Sequence, residues 1–156
     1  EIGTTKCLQQ IHSYIFDGLY PFAGQIRKKD ISKDGYLFAP VRFLHQTLSN
    51  IENMPEFTFE QIINKYAEMN VAHPFMDCNG RSTRIWLDLI LKKNLHKVVD
   101  WSKIKKEKYL DAMIKSHDDT TDISNLIKNA LTDKINDREV YMKGIDYSYY
   151  YEDVEM

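Results

Sequence analysis

His73-Pro74-Phe75-Met76-Asp77-Cys78-Asn79-Gly80-Arg81-Ser82-Thr83-Arg84 decides how the rest of this chain is read. An apolar helical pattern reaches His73 and stops, because Pro74 lacks the N–H that a helix interior requires. A second pattern opens at Asn79 or Gly80 and is apolar on most sides, through Ile85, Trp86, Leu87, Leu89, Ile90 and Leu91. That is the composition of a buried central helix. The short loop therefore lies between the end of one helix and the start of another. A helix start presents unpaired N–H groups and partial positive charge, and Gly80 lets a phosphate come close to them. Arg81 and Arg84 are three apart and share a face, although cations oppose the usual preference at a helix start. Asp77 offers a hard oxygen to Mg²⁺, and His73 has the pKa suited to a general base. Singly, each has a bland counterpart: a capping histidine, a capping aspartate, solvated arginines. Together within twelve residues they point to phosphate-transfer chemistry without a covalent intermediate.

Upstream, Thr4 or Thr5 caps a helix with Leu8, Ile11, Ile15 and Leu19 on one face, ending near Tyr20 before Pro21. Within the stretch Gln25 to Pro40, Asp34-Gly35 between short β-favouring runs, on the Ile26 side and at Tyr36–Phe38, reads as a hairpin turn. An exposed flap and an ordinary loop fit that stretch equally. Pro40 opens a helix on Val41, Leu44, Leu48 and Ile51, and Thr58-Phe59-Glu60-Gln61 is a capping box that starts the helix running to His73. Downstream, one amphipathic helix is expected on Ile104, Leu110, Met113 and Ile114, capped by Asp100 or Ser102. Another is expected on Ile123, Leu126, Ile127, Leu131 and Ile135, capped by Thr121 or Asp122. The class is all-α with one small hairpin.

Composition narrows the functions. The 156 residues fit one domain, and the net charge of -2 gives no basic footprint for nucleic acid. No apolar run approaches the ~18 residues of a membrane span. Two cysteines, Cys7 and Cys78, make neither a disulfide framework nor a metal spacing, so a reducing, cytoplasmic setting is expected. The chain opens on Glu1 rather than Met, which weakens the argument from a missing signal peptide.

The central stretch resembles the signature of the Fic family, His-Pro-Phe-x-(Asp/Glu)-Gly-Asn-Gly-Arg-x-x-Arg, departing only at Cys78, where that family usually has Gly. Leu19 to Arg27 and Phe38-Ala39-Pro40 resemble the segments that enter and leave the family's flap. The resemblance implies a helical Fic-type domain over 1–156 that transfers AMP from ATP to a Tyr, Ser or Thr hydroxyl of a target protein. It implies that His73 is the base and that Asp77 holds Mg²⁺. It implies that Asn79, Gly80, Arg81 and Arg84 bind the nucleotide phosphates. The flap residues Lys33, Asp34, Gly35, Tyr36, Leu37 and Phe38 would dock the target by β-augmentation. If the family's Gly has a positive φ, Cys78 carries a backbone penalty on the order of 1 kcal/mol.

Near the C-terminus, Ser148-Tyr149-Tyr150-Tyr151-Glu152-Asp153 resembles the inhibitory motif (Ser/Thr)-x-x-x-Glu-(Gly/Asn), matching at Ser148 and Glu152 but not at Asp153. The resemblance implies that 145–156 form an inhibitory helix in which Glu152 pairs with Arg84. The alternatives are another transfer on the same fold, AMP removal, or a non-catalytic interaction module, and a weak homo-oligomer is expected. The last module would have lost His73, Asp77 or Arg81, all of which are present.

Overall fold

The computed structural model describes residues 1–33, 35–140 and 142. The expected inhibitory segment, with Ser148 and Glu152, lies outside the described residues, as does Asp34 of the flap. Chain order is α1 (Thr5–Phe16), β1 (Ser32–Lys33), β2 (Tyr36–Leu37), α2 (Val41–Glu52), α3 (Phe59–Ala72), α4 (Asn79–Leu95), β3 (Val98–Val99), a 3₁₀ turn (Trp101–Lys103), α5 (Lys106–Lys115), α6 (Thr121–Ala130) and β4 (Leu131–Thr132).

Helix α4 is the axis of the fold. Trp86, Leu87, Ile90 and Leu91 are all fully buried, and α1 and α3 flank it. Helix α3 starts where its capping box requires: Thr58 accepts from the Gln61 backbone N–H, and the Gln61 side chain accepts from the Thr58 N–H. The Trp86 indole N–H donates to the Thr4 carbonyl at 3.1 Å, fixing the start of α1 on α4. Lys65 is also buried. Its ammonium donates to the carbonyls of Glu52 and Met54 and pairs with Glu56 at 2.9 Å, so the charge is taken from water with its donors satisfied.

The first helix is shorter than its apolar pattern suggests. It ends at Phe16, and Gly18 with φ 81 turns the chain away, leaving Leu19 exposed. The buried row is Leu8, His12 and Phe16, at steps of four, whereas Ile11 and Ile15 are half-buried. Asp100 caps the 3₁₀ turn rather than α5, which starts later and buries Tyr109, Ala112 and Met113 while Ile114 is exposed. No side chain caps α6 from Thr120, and Leu131 lies beyond its end in β4.

The hairpin forms, with Ser32 opposite Leu37 and Lys33 opposite Tyr36. Gly35 has φ 78, a conformation that costs other residues backbone energy. A second antiparallel pair, Val98–Thr132 and Val99–Leu131, has no counterpart in the expected elements. Asp88 ties it to α4 by accepting from the Val99 N–H at 2.9 Å and the Trp101 indole at 3.1 Å. Burial raises the Asp88 carboxyl to about 7, against these two hydrogen bonds.

Candidate active site

The loop between α3 and α4 is bracketed by two non-glycine residues in the left-handed region, His73 with φ 48 and Cys78 with φ 63. Such positions cost on the order of 1 kcal/mol each and are held only where surrounding contacts over-determine them. The positive φ at Cys78 also gives a physical reason for a glycine in the family signature.

His73 closes α3 as its C-terminal cap. Its ring lies flat on Phe38 at the end of the flap, with centroids 3.7 Å apart and planes 7° from parallel. The Nδ1 atom is 3.0 Å from the Asn70 carbonyl, which can only accept, so Nδ1 carries the hydrogen and Nε2 is the basic nitrogen. Burial pushes the imidazole down to about 4, assisted by the positive charges of Lys33 and Arg27 and opposed by the Asn70 carbonyl and Asp77. The ring is therefore neutral at neutral pH.

Arg27 holds this end of the loop. Its guanidinium is 3% exposed and donates to the carbonyls of His73 at 2.7 Å, Lys29 at 2.8 Å, Ala72 at 3.0 Å and Ala39. Its backbone N–H donates to Pro74 at 2.9 Å. One cation thus meets the last carbonyls of α3, where the helix dipole favours positive charge, and joins them to both ends of the flap.

Phe75 is fully buried, and Asn79 clamps its backbone: the side-chain oxygen accepts from the Phe75 N–H and the amide donates to the Phe75 carbonyl, both at 2.8 Å. The Asn79 side chain shapes the loop first, which sequence reasoning, giving it only to the phosphates, did not foresee. The Asp77 carboxylate is exposed, and one oxygen accepts from the Cys78 N–H at 2.7 Å. Cys78 provides no side-chain cap to α4, and the first N–H donating back along the helix is that of Ser82, to the Cys78 carbonyl. The N–H groups of Asn79, Gly80 and Arg81 precede it, at the end of the helix that attracts anions.

The two arginines share the first turns of α4 but lean toward different neighbours. Arg81 is half-buried over the Phe16 ring of α1 at 5.4 Å. Arg84 is buried over the Tyr109 ring of α5 at 5.6 Å and donates weakly to its hydroxyl at 3.4 Å; that hydroxyl is 2.6 Å from the Tyr66 hydroxyl. In the flap, Phe38 is buried on His73, Tyr36 stacks on His117 at 3.9 Å, and Leu37 is 60% exposed. The hairpin thus stands beside the basic histidine with one apolar side chain facing out.

Two residues of this site had no role in the sequence reading. Arg27 was visible only as part of a flap-entry segment. His12 is fully buried, stacks on Phe75 at 3.9 Å, and bridges the Gly24 N–H to the Asp77 carbonyl. Its signal was positional: it is the polar member of the Leu8, His12, Phe16 row.

The site fits Mg²⁺ in one respect that can be tested on its donors. The Asp77 carboxylate stands exposed beside the start of α4, a hard oxygen of the kind that Mg²⁺ takes together with phosphate and water ligands. Among the described residues, no helix is long and apolar enough to cross a membrane.

The family model described as Fic/DOC family matches residues 4–91. The protein adenylyltransferase VbhT of Bartonella schoenbuchensis is 30% identical over an alignment of 154 positions that covers 89% of this chain and 32% of that protein. The Sinorhizobium fredii protein y4lH is 25% identical over an alignment of 118 positions that covers 68% of this chain and 61% of that one. The chain therefore spans less than two thirds of either relative. Among solved structures, the BepC effector of Bartonella tribocorum with bound AMPPNP superposes with a TM-score of 0.73 at 19% identity, covering 84% of this chain and 75% of that one. The N-terminal Fic domain of a Bartonella quintana Bep effector with bound ADP gives 0.72 at 19% identity, covering 90% and 77%. At this identity the two structures carry the fold.

Proposed function

The chain belongs to the Fic/DOC family, and from that premise we propose that it is a protein adenylyltransferase, moving AMP from ATP to a hydroxyl of a target protein. The observation that carries the reading is the pairing of a neutral His73, its Nδ1 committed to Asn70, with the start of α4, to which Cys78 gives no side-chain cap, across a short clamped loop. The target hydroxyl gives its proton to His73 Nε2 as its oxygen bonds to the α-phosphorus. The bond from that phosphorus to the bridging oxygen breaks, and pyrophosphate leaves. The N–H groups around Gly80 face the charge that develops on the phosphate, and Arg81 and Arg84 hold the leaving phosphates. Asp77 would hold Mg²⁺, which when bound neutralises phosphate charge. Main-chain bonding at the hairpin would register the target, with Leu37 as its apolar contact.

We further propose that Glu152, with Ser148 on the same terminal segment, restrains the enzyme by pairing with Arg84. The burial of Arg84 supports this, because a buried guanidinium requires an anion or several acceptors. ATP bound beside that pair would lack the cation that orients its γ-phosphate.

Incubation of a lysate with the protein, Mg²⁺ and ATP labelled on either the α- or the γ-phosphate tests both statements. Protein-bound α-label, rising when Glu152→Gly replaces the wild type, is the expected result. Transfer of γ-label alone would make the reaction a phosphorylation and overturn the first proposal. Equal transfer by both proteins would overturn the second.

A further inference from the structure

The proposed reaction requires Asp77 to be held in register with His73, and the following inference rests on that reading. We propose that His12 is a positioning residue that holds the Asp77 end of the loop through the Asp77 backbone carbonyl. Its two ring nitrogens have assigned roles. The Gly24 N–H, 2.9 Å from Nδ1, can only donate, so Nδ1 accepts. Nε2 therefore carries the hydrogen and donates to the Asp77 carbonyl at 3.1 Å. One neutral tautomer satisfies both partners, and both are backbone groups.

The rest of the loop shows why this bond matters. His73 and Pro74 are tied to Arg27, and Phe75 is tied to Asn79. Asp77 has a local bond to the Cys78 N–H, and its carbonyl contact with His12 is the hydrogen bond that reaches across the fold, 65 residues away. The next residue, Cys78, sits at φ 63. A strained residue adjacent to an exposed carboxylate needs an outside contact to keep one conformation. Beside the Tyr20 side chain that contacts Cys78 itself, His12 supplies one at Asp77 from a rigid place: the ring is fully buried and packed between Phe16 at 4.9 Å and Phe75 at 3.9 Å. The same ring fixes Gly24, just before the segment that carries Arg27. Helix α1 thereby sets the metal-binding side of the site, while Arg27 sets the base side.

Two amides separate the roles of the ring nitrogens. His12→Gln puts an amide N–H near the position of Nε2 and keeps the donor to Asp77. His12→Asn puts an oxygen near Nδ1, keeps the acceptor for Gly24 and abandons Asp77. Both shrink the ring's packing, so both should melt at lower temperature. Amide exchange at Cys78 is expected to accelerate about tenfold in His12→Asn, the scale of one lost buried hydrogen bond, and to stay near wild type in His12→Gln. In parallel, the Mg²⁺ concentration giving half-maximal transfer should rise about tenfold in His12→Asn alone, with the KM for the target protein unchanged. Equal exchange in the two variants, or exchange that simply follows melting temperature, would reduce His12 to a packing residue and overturn the proposal. If the wild type transfers no AMP, the functional reading fails, while the exchange comparison still decides whether His12 holds Asp77. If neither variant folds, nitrogen NMR of the wild-type imidazole decides: the hydrogen on Nε2, coupled to the Asp77 carbonyl, supports the proposal, and a hydrogen on Nδ1 refutes it.

Discussion

Burial of His73 makes a quantitative prediction about stability and pH. In the unfolded chain a histidine titrates near 6.5, and in the fold His73 is pushed down to about 4. Between those values the unfolded state binds the extra proton. The contribution is therefore fully present above 6.5 and is lost as pH falls toward 4. A shift of about 2.5 units at 1.36 kcal/mol per unit bounds the loss at roughly 3 kcal/mol, of which about 2 should be gone by pH 4.5. Asp88 works in the opposite direction, since a carboxyl raised to about 7 favours the fold at low pH. It is present in wild type and His73→Gln alike and cancels in their difference. Urea denaturation of both proteins at pH 7 and pH 4.5 isolates the histidine. The wild type should lose about 2 kcal/mol more than His73→Gln over that interval. A difference below about 0.5 kcal/mol would show that His73 is solvated and refute the reasoning. The same burial predicts that wild-type kcat/KM stays flat well below pH 6.5, whereas an acid limb centred near 6.5 would mean a base in open water.

Other expectations follow from single contacts. His73→Gln should leave the fold intact and reduce transfer about 10²–10⁴-fold, read with α-labelled ATP; activity above a few per cent would remove His73 from the base role. Arg27→Met should lower stability by about 3–5 kcal/mol, because four carbonyls lose one buried cation; urea melting showing a loss under about 1 kcal/mol would mean that water replaces it. Asp77→Ala should abolish transfer together with its Mg²⁺ requirement, and surviving Mg²⁺-dependent activity would place the metal elsewhere. Cys78→Gly should stabilise the chain by about 1 kcal/mol through relief of the positive φ, and unchanged or lower stability would show that the thiol's packing outweighs the strain.

The loop between α3 and α4 was readable because its signals are local. Pro74 ends one helix, Gly80 and an apolar run begin the next, and the candidate site residues lie around the loop between. The hairpin was readable for the same reason, since Asp34-Gly35 between β-favouring runs is a local turn signal. What escaped was non-local. The pairing of Val98–Val99 with Leu131–Thr132 joins segments too short to show alternation, and it depends on Asp88 meeting the Val99 N–H from another element. The early end of α1 escaped because Leu19 keeps the helical spacing, while Gly18 breaks the backbone before it. Arg27 and His12 escaped for a different reason. Their partners are backbone atoms of distant residues, and backbone atoms have no letter in a sequence.

Grips on the main chain decide how the site holds its shape. A base, a carboxylate and a helix start are useful to phosphate transfer only at fixed separation, since misplacement by about 1 Å can cost two orders of magnitude in rate. Here two residues at positive φ bracket the loop, and neither would keep that conformation in a free peptide. The fold restrains them with polar groups taken out of water: Arg27 on the carbonyls of His73 and Ala72, His12 on that of Asp77, and Asn79 on Phe75. All three are at least nine-tenths buried, so solvent competes poorly for their bonds. Because they grip the main chain, the exposed carboxylate of Asp77 and the basic nitrogen of His73 remain available for chemistry. Arg27 and Gly24, whose N–H donates to His12 Nδ1, lie on one segment that also leads into the hairpin. The strand expected to dock a target and the loop expected to act on it therefore hang from one short stretch of backbone, so displacement of the hairpin should be felt at His73 through Arg27.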